Sequence, residues 1–409
     1  MSDETCPFDH GSGTATDTPG VSPLAKRFWN SYDIDDPDLA DHWDEVLAGL
    51  HQGCPVARSD VGEGYWVINR YEDVTKAAKD WKTFSSTSGF TPNRPEGQPF
   101  WYPVECDPPL HSELRKVMDG HFAPRAVGTI EDEIRAHADL LLDGFVGDGR
   151  VDVVKQYTNA LPGYVFCGTM CGMPLEDMPW LHETLSAGLT GPREGRAAEI
   201  VKSFEYFEAF LKKRSTEEPR GDVVDEILAL DLEGYDWSMR TGTLAQTVAA
   251  GIATTGHVMA SALWHLSEHE EDKQALIADA AAYPRAVEEF VRMYAASPHN
   301  GRRATTDTEV AGTKIEEGDF VVLGWGAASR DPLVCPNPGT LDIKRSPNRH
   351  VAFGSGVHRC IGAHLARLEM RIGLQAFLAR IPDYRVAEGF VPQYEQNIVR
   401  SLTSLPLEF

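Results

Sequence analysis

The sequence predicts a mainly helical fold with a small β-rich part. Along most of the chain after residue 108, apolar residues recur at intervals of three and four, which is typical of helices packed on a core. Segment 244–266 is apolar on nearly all sides, and such a helix belongs in the centre of a large protein. Strand-like segments are few and short, so sheets can form only a minor part.

The individual elements follow from these periodicities. Helices are expected at 110–118, 130–145, 154–171, 200–213, 223–230, 244–266, 270–282, 284–296 and 364–378. Strands are expected at 64–69, 313–315, 319–323 and 402–409, with a turn at 315–318. Two irregular segments, 85–109 and 187–195, are rich in proline or glycine and are interpreted as lids or binding loops, or else as plain surface loops.

Composition limits the class of protein. The 409 residues carry 38 Lys and Arg against 62 Asp and Glu, a net charge of −24, which disfavours nucleic acids and anionic membranes as partners. No apolar run reaches the length of about 18 residues that a membrane helix needs. Seven cysteines at irregular spacing imply no disulfide framework. We therefore expect a cytoplasmic monomer, with a disordered tail at 1–21 and a single domain at 22–409.

The most informative segment is 353–363, Phe-Gly-Ser-Gly-Val-His-Arg-Cys-Ile-Gly-Ala. Glycines and a serine make a tight loop directly before a helix, where backbone N–H groups and the helix dipole stabilise a thiolate at Cys360. Arg359 adds a neighbouring cation. By spacing alone, Cys360 is either an incidental buried cysteine or a reactive thiolate, such as a nucleophile.

This segment resembles the haem-binding loop of the cytochrome P450 family, Phe-x-x-Gly-x-His/Arg-x-Cys-x-Gly, at every fixed position. The resemblance implies the P450 fold, a bound haem b, and Cys360 as the thiolate ligand of the iron. It also implies that Phe353 shields the sulfur and that Gly362 lets the helix pass close to the porphyrin. Residues 22–409 would then form one catalytic domain.

Three further motifs extend the resemblance. Asp107-Pro-Pro-Leu-His111-Ser-Glu-Leu-Arg115 is similar to a family motif at the start of a helix that crosses the haem. His111 and Arg115 lie four residues apart on one helical face, so both would reach the haem propionates, as would Arg302 and His358 by resemblance.

Glu289-Phe-Val-Arg292 resembles the Glu-x-x-Arg helix motif of the family. Residues three apart share a helix face and can form an ion pair. The resemblance implies a structural role, in which Glu289 and Arg292 lock the core beneath the haem together with the stretch 330–345.

Residues 250–255, Ala-Gly-Ile-Ala-Thr-Thr, resemble the oxygen-binding motif of the family. Thr254, followed by Thr255, would be the alcohol on the oxygen side of the haem, and the small residues Ala250 and Gly251 would leave room for O₂. Without the other motifs, two threonines bonded back to their own helix would be the simpler interpretation.

The sequence departs from that motif at Ala253, where the family carries an acid that helps to relay protons. Another polar group such as His257 or ordered water could complete the relay, peroxide could be used directly, or the substrate could supply a hydroxyl. The fungal nitric-oxide reductase branch also lacks this acid, so that reaction is an alternative. The segments around Cys360 are more similar to bacterial terpene hydroxylases.

Electrons are expected from a separate protein. The chain has no Gly-x-Gly-x-x-Gly motif after a strand and no appended reductase, which favours a ferredoxin with its own ferredoxin reductase. Residues 340–371 include six basic and two acidic residues, which gives a local charge of +4. Such a positive segment would attract an acidic ferredoxin. The alternative is that these arginines pair with carboxylates inside the protein.

The expected reaction is O₂-dependent hydroxylation of a small hydrophobic molecule, a terpenoid or an aromatic compound. Peroxygenase or nitric-oxide reductase chemistry is the alternative, and a haem carrier or sensor without enzymatic activity is a third. By resemblance, the substrate pocket is formed by Phe90, Phe100, Trp101, Val248, Ala249, Ile252, Ala296, Ser297, His299 and Leu402. Ser297, His299 and Asn300 are the candidate polar anchors.

Overall fold

Helices dominate the fold, as the sequence predicts. The computed structural model describes residues 18–92, 94 and 97–409. Residues 1–17 of the tail predicted at 1–21 therefore lie outside the described residues. Val21, which was assigned to that tail, is buried in the core, so the ordered chain begins before the predicted boundary.

Eight α-helices lie in the first half of the described chain. Short helices α1 and α2 were not predicted, although Ser22 and Asp36 cap their N-termini through side-chain oxygens and a proline follows each cap. The bounds are α1 Pro23–Asn30, α2 Pro37–Asp41, α3 Trp43–Gly53, α4 Tyr71–Lys79, α5 Leu110–Phe122, α6 Pro124–Thr129, α7 Glu131–Asp143 and α8 Ala160–Gly163.

The second half contains eight more α-helices, of which α12 is the longest. Asp236 caps α12 by accepting a hydrogen bond from the backbone N–H of Met239 at 2.9 Å. The bounds are α9 Met178–Leu189, α10 Arg196–Arg214, α11 Val223–Ala229, α12 Trp237–Glu268, α13 Glu270–Ala278, α14 Tyr283–Tyr294, α15 Trp325–Ala328 and α16 Ala363–Arg380.

The helix predicted at 154–171 is corrected by the structure. It consists of α8 between two π-helical segments, Val154–Thr158 and Tyr164–Met170. Apolar periodicity does not separate these wider turns from α-helix, because the buried face is nearly the same. Single 3₁₀ turns also occur at Leu175–Asp177, Ala280–Ala282 and Gly356–His358.

The strands are short and form small sheets. One sheet has five strands in the order β1-β2-β8-β5-β3, in which β2 and β8 are parallel and β5 and β8 antiparallel. The strands are β1 Val56–Ser59, β2 Tyr65–Ile68, β3 Phe84–Ser85, β4 Arg150–Asp152, β5 His299–Ala304, β6 Thr308–Val310, β7 Thr313–Ile315, β8 Phe320–Gly324, β9 Arg385–Val386, β10 Tyr394–Gln396, β11 Arg400–Leu402 and β12 Pro406–Glu408.

One strand prediction needs correction, and the predicted turn at 315–318 is confirmed. The segment 402–409 was predicted as one strand, but β11 pairs with β10 while β12 pairs with β4 and β9 in another sheet. The turn at 315–318 joins β7 and β8, which likewise belong to different sheets. Strand pairing is set by distant parts of the chain, and a local pattern does not contain it.

Helix α12 runs through the core, as its apolar composition predicted. It packs against α8, α10, α14 and α16. At Gly256 a side chain would overlap the backbone carbonyl oxygen of Thr158, so the glycine lets α12 lie directly on the first π-helical segment. None of the helices in the described part of the chain combines the length and apolar character of a membrane-spanning segment.

Candidate active site

A large cavity lies between α12 and the loop that carries Cys360. Its walls come from α5, α12, the start of β5, the loop 353–362, and the segment around residues 90–104. Most of the wall is apolar, with polar groups gathered near the cysteine loop. Two chemically different regions therefore meet in one cavity.

The cysteine loop is held in shape by its own backbone. The Cys360 N–H donates to the carbonyl oxygen of Phe353 at 2.8 Å, and Gly354 and Gly356 both have φ of +72°. At Gly356 an added Cβ would overlap the carbonyl oxygen of Ala78, at the end of α4. Glycine is required there for both reasons, and the loop docks on α4 as a result.

The thiol of Cys360 opens on the cavity at the N-terminus of α16. Burial raises the pKa of this thiol, whereas the Gly362 N–H and nearby arginines act to lower it. A cation at the sulfur would favour the thiolate further. Gly362 precedes α16 with space beside the sulfur, since an added Cβ would lie 3.9 Å from Cys360 Sγ.

Four predicted propionate ligands gather at the polar end of the cavity. His111 on α5 and His358 in the loop have ring centroids 4.3 Å apart. Arg115 Nη1 donates to the carbonyl oxygen of Arg359 at 2.8 Å, and Arg302 enters from β5. All four residues line the same cavity.

Two of these groups lack the partners that burial normally requires. Among the described residues, both ring nitrogens of His111 are buried without a hydrogen-bond partner, and Arg302 is 3% exposed with no carboxylate at ion-pair distance. Burial lowers the pKa of His111 to about 4 and that of Arg302 to about 10. Buried N–H donors without partners are stabilised when a bound group supplies carboxylates to accept their hydrogen bonds.

On the opposite wall, α12 presents small residues and an alcohol. Ala250, Gly251 and Thr254 line the cavity, and the Thr254 hydroxyl donates to the Ala250 carbonyl oxygen at 3.1 Å. At Gly251 an added Cβ would lie 3.0 Å from the ring of Phe166. Gly251 thus provides close packing of Phe166 on α12, a function that the sequence did not reveal.

The suggestion that His257 replaces the missing acid is wrong. His257 is buried away from the cavity, and burial next to His182 lowers its pKa to about 3. Its Nδ1 has no partner among the described residues. Among the described residues, no hydrogen bond connects His257 Nδ1 to the cavity wall.

A different acid, Glu369 on α16, does reach the cavity. It is 1% exposed, hydrogen-bonded to the Thr255 side chain, and its Oε1 has no partner among the described residues. Burial raises the pKa of Glu369 well above its ordinary value, which favours the neutral form of the acid. Sequence reasoning missed it, although a lone acid between Leu368 and Met370 in an apolar helix was a usable signal.

The predicted pocket residues divide into two groups. Five line the cavity: Phe90, Trp101, Ala249, Ala296 and Ser297. The predictions for the other five were wrong, because these residues do not line it: Phe100, Val248, Ile252, His299 and Leu402.

Three of these errors have an identifiable physical cause. Val248 and Ile252 lie four residues apart on the face of α12 that packs into the core, while Ala249 and Ala250 face the cavity. His299 is bonded to the Tyr32 hydroxyl at 2.8 Å and to a backbone carbonyl, so it is not a free anchor. Residues that the sequence did not assign to the wall include Met118, Phe166, Leu189, Gln246, Thr247, Ile398 and Val399.

Glu289 and Arg292 form a buried ion pair beneath the cysteine loop. Both side chains are 0% exposed, and two Arg292 nitrogens donate to the Glu289 carboxylate at 2.8 and 2.7 Å. Arg345 and Asn348 donate to the same carboxylate at 3.1 and 3.0 Å. The Glu289 carboxylate therefore ties α14 to the loop 342–348.

Half of the predicted basic patch is neutralised by ion pairs. Arg345 pairs with Glu289, Arg367 with Glu288, and Arg371 with Glu131. Three of the six basic residues remain exposed without an ion pair among the described residues: Lys344, Arg349 and Arg359. The alternative of internal pairing thus applies to half of the set.

Comparisons with known proteins agree with this geometry. A family model described as Cytochrome P450 matches residues 204–381. A putative cytochrome P450 126 from Mycobacterium tuberculosis is 31% identical over 354 residues, covering 82% of this chain and 85% of that protein. The chain belongs to the cytochrome P450 family. It is a P450 monooxygenase with haem b as its cofactor.

Other relatives of this P450 have assigned activities or solved structures. The steroid C26-monooxygenase of Mycolicibacterium smegmatis is 32% identical over 376 residues, covering 89% of this chain and 92% of that enzyme. The structure of Mycobacterium marinum cytochrome P450 CYP268A2 in complex with pseudoionone has a TM-score of 0.83 at 26% identity, covering 97% and 100% of the two chains. The P450 fold predicted from the cysteine loop is thereby confirmed.

Proposed function

We propose that this P450 inserts one atom of O₂ into a small, largely apolar molecule, using electrons from a separate ferredoxin and its reductase. The observation that carries the proposal is the apolar cavity that joins Thr254 on α12 to Cys360 in the loop. Burying apolar surface in such a cavity drives binding of a hydrophobic substrate and excludes water from the reaction.

The chain supplies the haem ligands and the orientation. Cys360 would hold the iron, and His111, Arg115, Arg302 and His358 would hold the propionates. Haem b, when bound, supplies the oxidising chemistry. Thr254 would place its hydroxyl on the oxygen side, after rotating away from the Ala250 carbonyl to which it now donates.

Glu369 is proposed as the source of the proton that the family normally takes from the acid replaced by Ala253. As a neutral buried acid, it holds a proton at the cavity wall, and Thr255 lies between it and the adjacent Thr254. The transfer would run from Glu369 along the threonine hydroxyls. The alanine at position 253 would then change the route that the proton takes, without stopping its delivery.

For the substrate, we propose a terpenoid or an aromatic compound. The wall residues are chiefly aliphatic and aromatic, and Phe90, Trp101, Phe122 and Phe166 supply flat surfaces. Relatives named vitamin D(3) 25-hydroxylase and steroid C26-monooxygenase act on apolar molecules, which supports the general class.

The electron donor would bind near the cysteine loop. Lys344, Arg349 and Arg359 are exposed cations in a chain of net charge −24, and they offer a local attraction for an acidic ferredoxin. The proposal includes a cytoplasmic monomer. All cysteines among the described residues are free thiols, as expected in a reducing compartment.

The test compares electron sources on the haem-loaded enzyme. Terpenoids and aromatic compounds that shift the ferric spin state are incubated with NADH, ferredoxin and reductase under isotopically labelled O₂. We expect labelled hydroxylated product. Product formed only with hydrogen peroxide, or NADH-driven reduction of nitric oxide without ferredoxin, would overturn the proposal. A matched pair, Arg359→Glu and the distant Arg385→Glu, tests docking: only the first is expected to slow reduction by ferredoxin.

A further inference from the structure

Gln246 is a polar side chain on an otherwise apolar stretch of the cavity wall. It lies on the cavity-facing side of α12, and among the described residues its amide makes no hydrogen bond. The neighbouring Thr247 hydroxyl is already bonded to the Thr243 carbonyl oxygen at 2.6 Å. Gln246 is half-buried, and its amide keeps N–H donors that a ligand in the cavity can use.

Trp101 lies at the same end of the cavity. The segment that carries it packs on the first turns of α12, where the Tyr102 N–H donates to the Gly242 carbonyl oxygen at 3.3 Å. Gly242 is required there, because a side chain would overlap the carbonyl oxygen of Phe100. Residue 242 is one helical turn before Gln246, so Trp101 and Gln246 belong to one region of the wall.

The indole of Trp101 also offers an unused donor. The residue is 1% exposed, its Nε1–H has no partner among the described residues, and its ring packs edge-on against Phe204. The Trp101 backbone N–H donates to the Glu105 carboxylate at 2.8 Å, which fixes its position. Two donors without partners thus come from the same end of the cavity.

The charge balance in this region selects a neutral ligand group. Arg94, the cation beside this segment, is paired with Glu105 at 3.2 Å. No unpaired cation therefore lies beside Trp101 in the described part of the chain, and an anionic group would be buried without compensation. A carbonyl or hydroxyl oxygen satisfies the two N–H donors without that cost.

The distance between Gln246 and Thr254 sets the length of the substrate. Gln246 and Thr254 are eight residues apart on one helix, which is about 12 Å along its axis. Between them the wall carries Ala249 and Ala250, and Leu189 and Val399 also line the cavity. A ligand that touches both ends needs an apolar body of roughly that length.

We propose that Trp101 and Gln246 form a polar anchor for one neutral oxygen of an elongated apolar substrate, whose opposite end is oxidised beside Thr254. This inference rests on the proposed function. Within the proposed substrate class it favours a long terpenoid ketone or alcohol over a simple aromatic compound. It also makes Gln246 a specificity-determining residue that holds the far end of the substrate.

The test uses straight-chain alkan-2-ones, n-alkanes and alkanoic acids of increasing length. Affinity is measured from the ferric spin-state change of the haem-loaded protein. We expect ketones of matching length to bind about 2- to 10-fold more tightly than the alkanes, the value of one hydrogen bond, and acids to gain nothing. Gln246→Met and Trp101→Phe are each expected to reduce the difference, and the double variant is expected to abolish it.

Gln274→Met, a matched change at an exposed position on α13, is expected to leave the ketone preference intact. Equal affinity for ketones and alkanes in the wild-type protein, or an unchanged preference in Gln246→Met, would overturn the anchor. These titrations require no electron donor. Alkane hydroxylation without a ketone preference would therefore refute the anchor alone, and a preserved preference without ferredoxin-driven turnover would refute the proposed function alone.

Discussion

Arg302 is expected to destabilise the protein without haem and to stabilise haem binding. The side chain is 3% exposed on β5, and within the described residues it has no carboxylate at ion-pair distance. Its one protein hydrogen bond in that part of the chain is from Nη1 to the Gly301 carbonyl oxygen, at 2.6 Å. Arg302→Met removes the cation and keeps much of the apolar stem.

The magnitude follows from the pKa. Burial lowers the pKa of Arg302 from 12.5 to about 10, a difference that corresponds to about 3 kcal/mol against the charged form. Because the folded-state pKa is the lower one, this penalty is present at every pH below 10 and declines as the pH rises through that value. Losing the Gly301 hydrogen bond offsets about 1 kcal/mol of the gain.

Without haem, Arg302→Met is therefore expected to raise the free energy of unfolding by about 2 kcal/mol. With haem it should lose a charge-assisted bond to a propionate, worth about 1.5–3 kcal/mol, and release haem faster. Urea unfolding of the haem-depleted protein and haem transfer to apomyoglobin measure the two effects. Arg303→Met, at the next position on the more exposed face of β5, is the control with little effect on either. Destabilisation of the haem-depleted Arg302→Met protein would refute the reasoning.

Three other substitutions test separate parts of the structure. Glu289→Gln should cost about 3–5 kcal/mol in urea unfolding, because it leaves the fully buried Arg292 without its anion; a loss below about 1 kcal/mol would contradict this. Glu369→Gln should lower product formed per NADH and increase hydrogen peroxide release while leaving substrate affinity unchanged, whereas unaltered coupling would exclude Glu369 as the proton source. Gly356→Ala should cost about 1–3 kcal/mol and loosen haem retention, since it combines a positive φ with overlap on the Ala78 carbonyl; wild-type unfolding and haem loss would show that the loop relaxes freely.

The sequence alone determined the helical class, the central position of α12, and the likeness of the cysteine loop to that of the P450 family. These features are local: apolar periodicity is contained in each segment, and the motif around Cys360 specifies a loop followed by a helix. The order of the motifs at Arg115, Thr254, Arg292 and Cys360 added the family resemblance. The fold followed from these features, because each local pattern agreed with the same architecture.

Only the tertiary structure decided which side chains share the cavity. The sequence placed Val248 on the pocket wall and His257 in a proton relay, but both are turned into the core, while Gln246 and Glu369 face the cavity. The periodicity of an all-apolar helix cannot separate its faces, since every face is buried. The face that borders the cavity is set by packing against α8, α14 and α16, and these contacts depend on residues far away in the sequence.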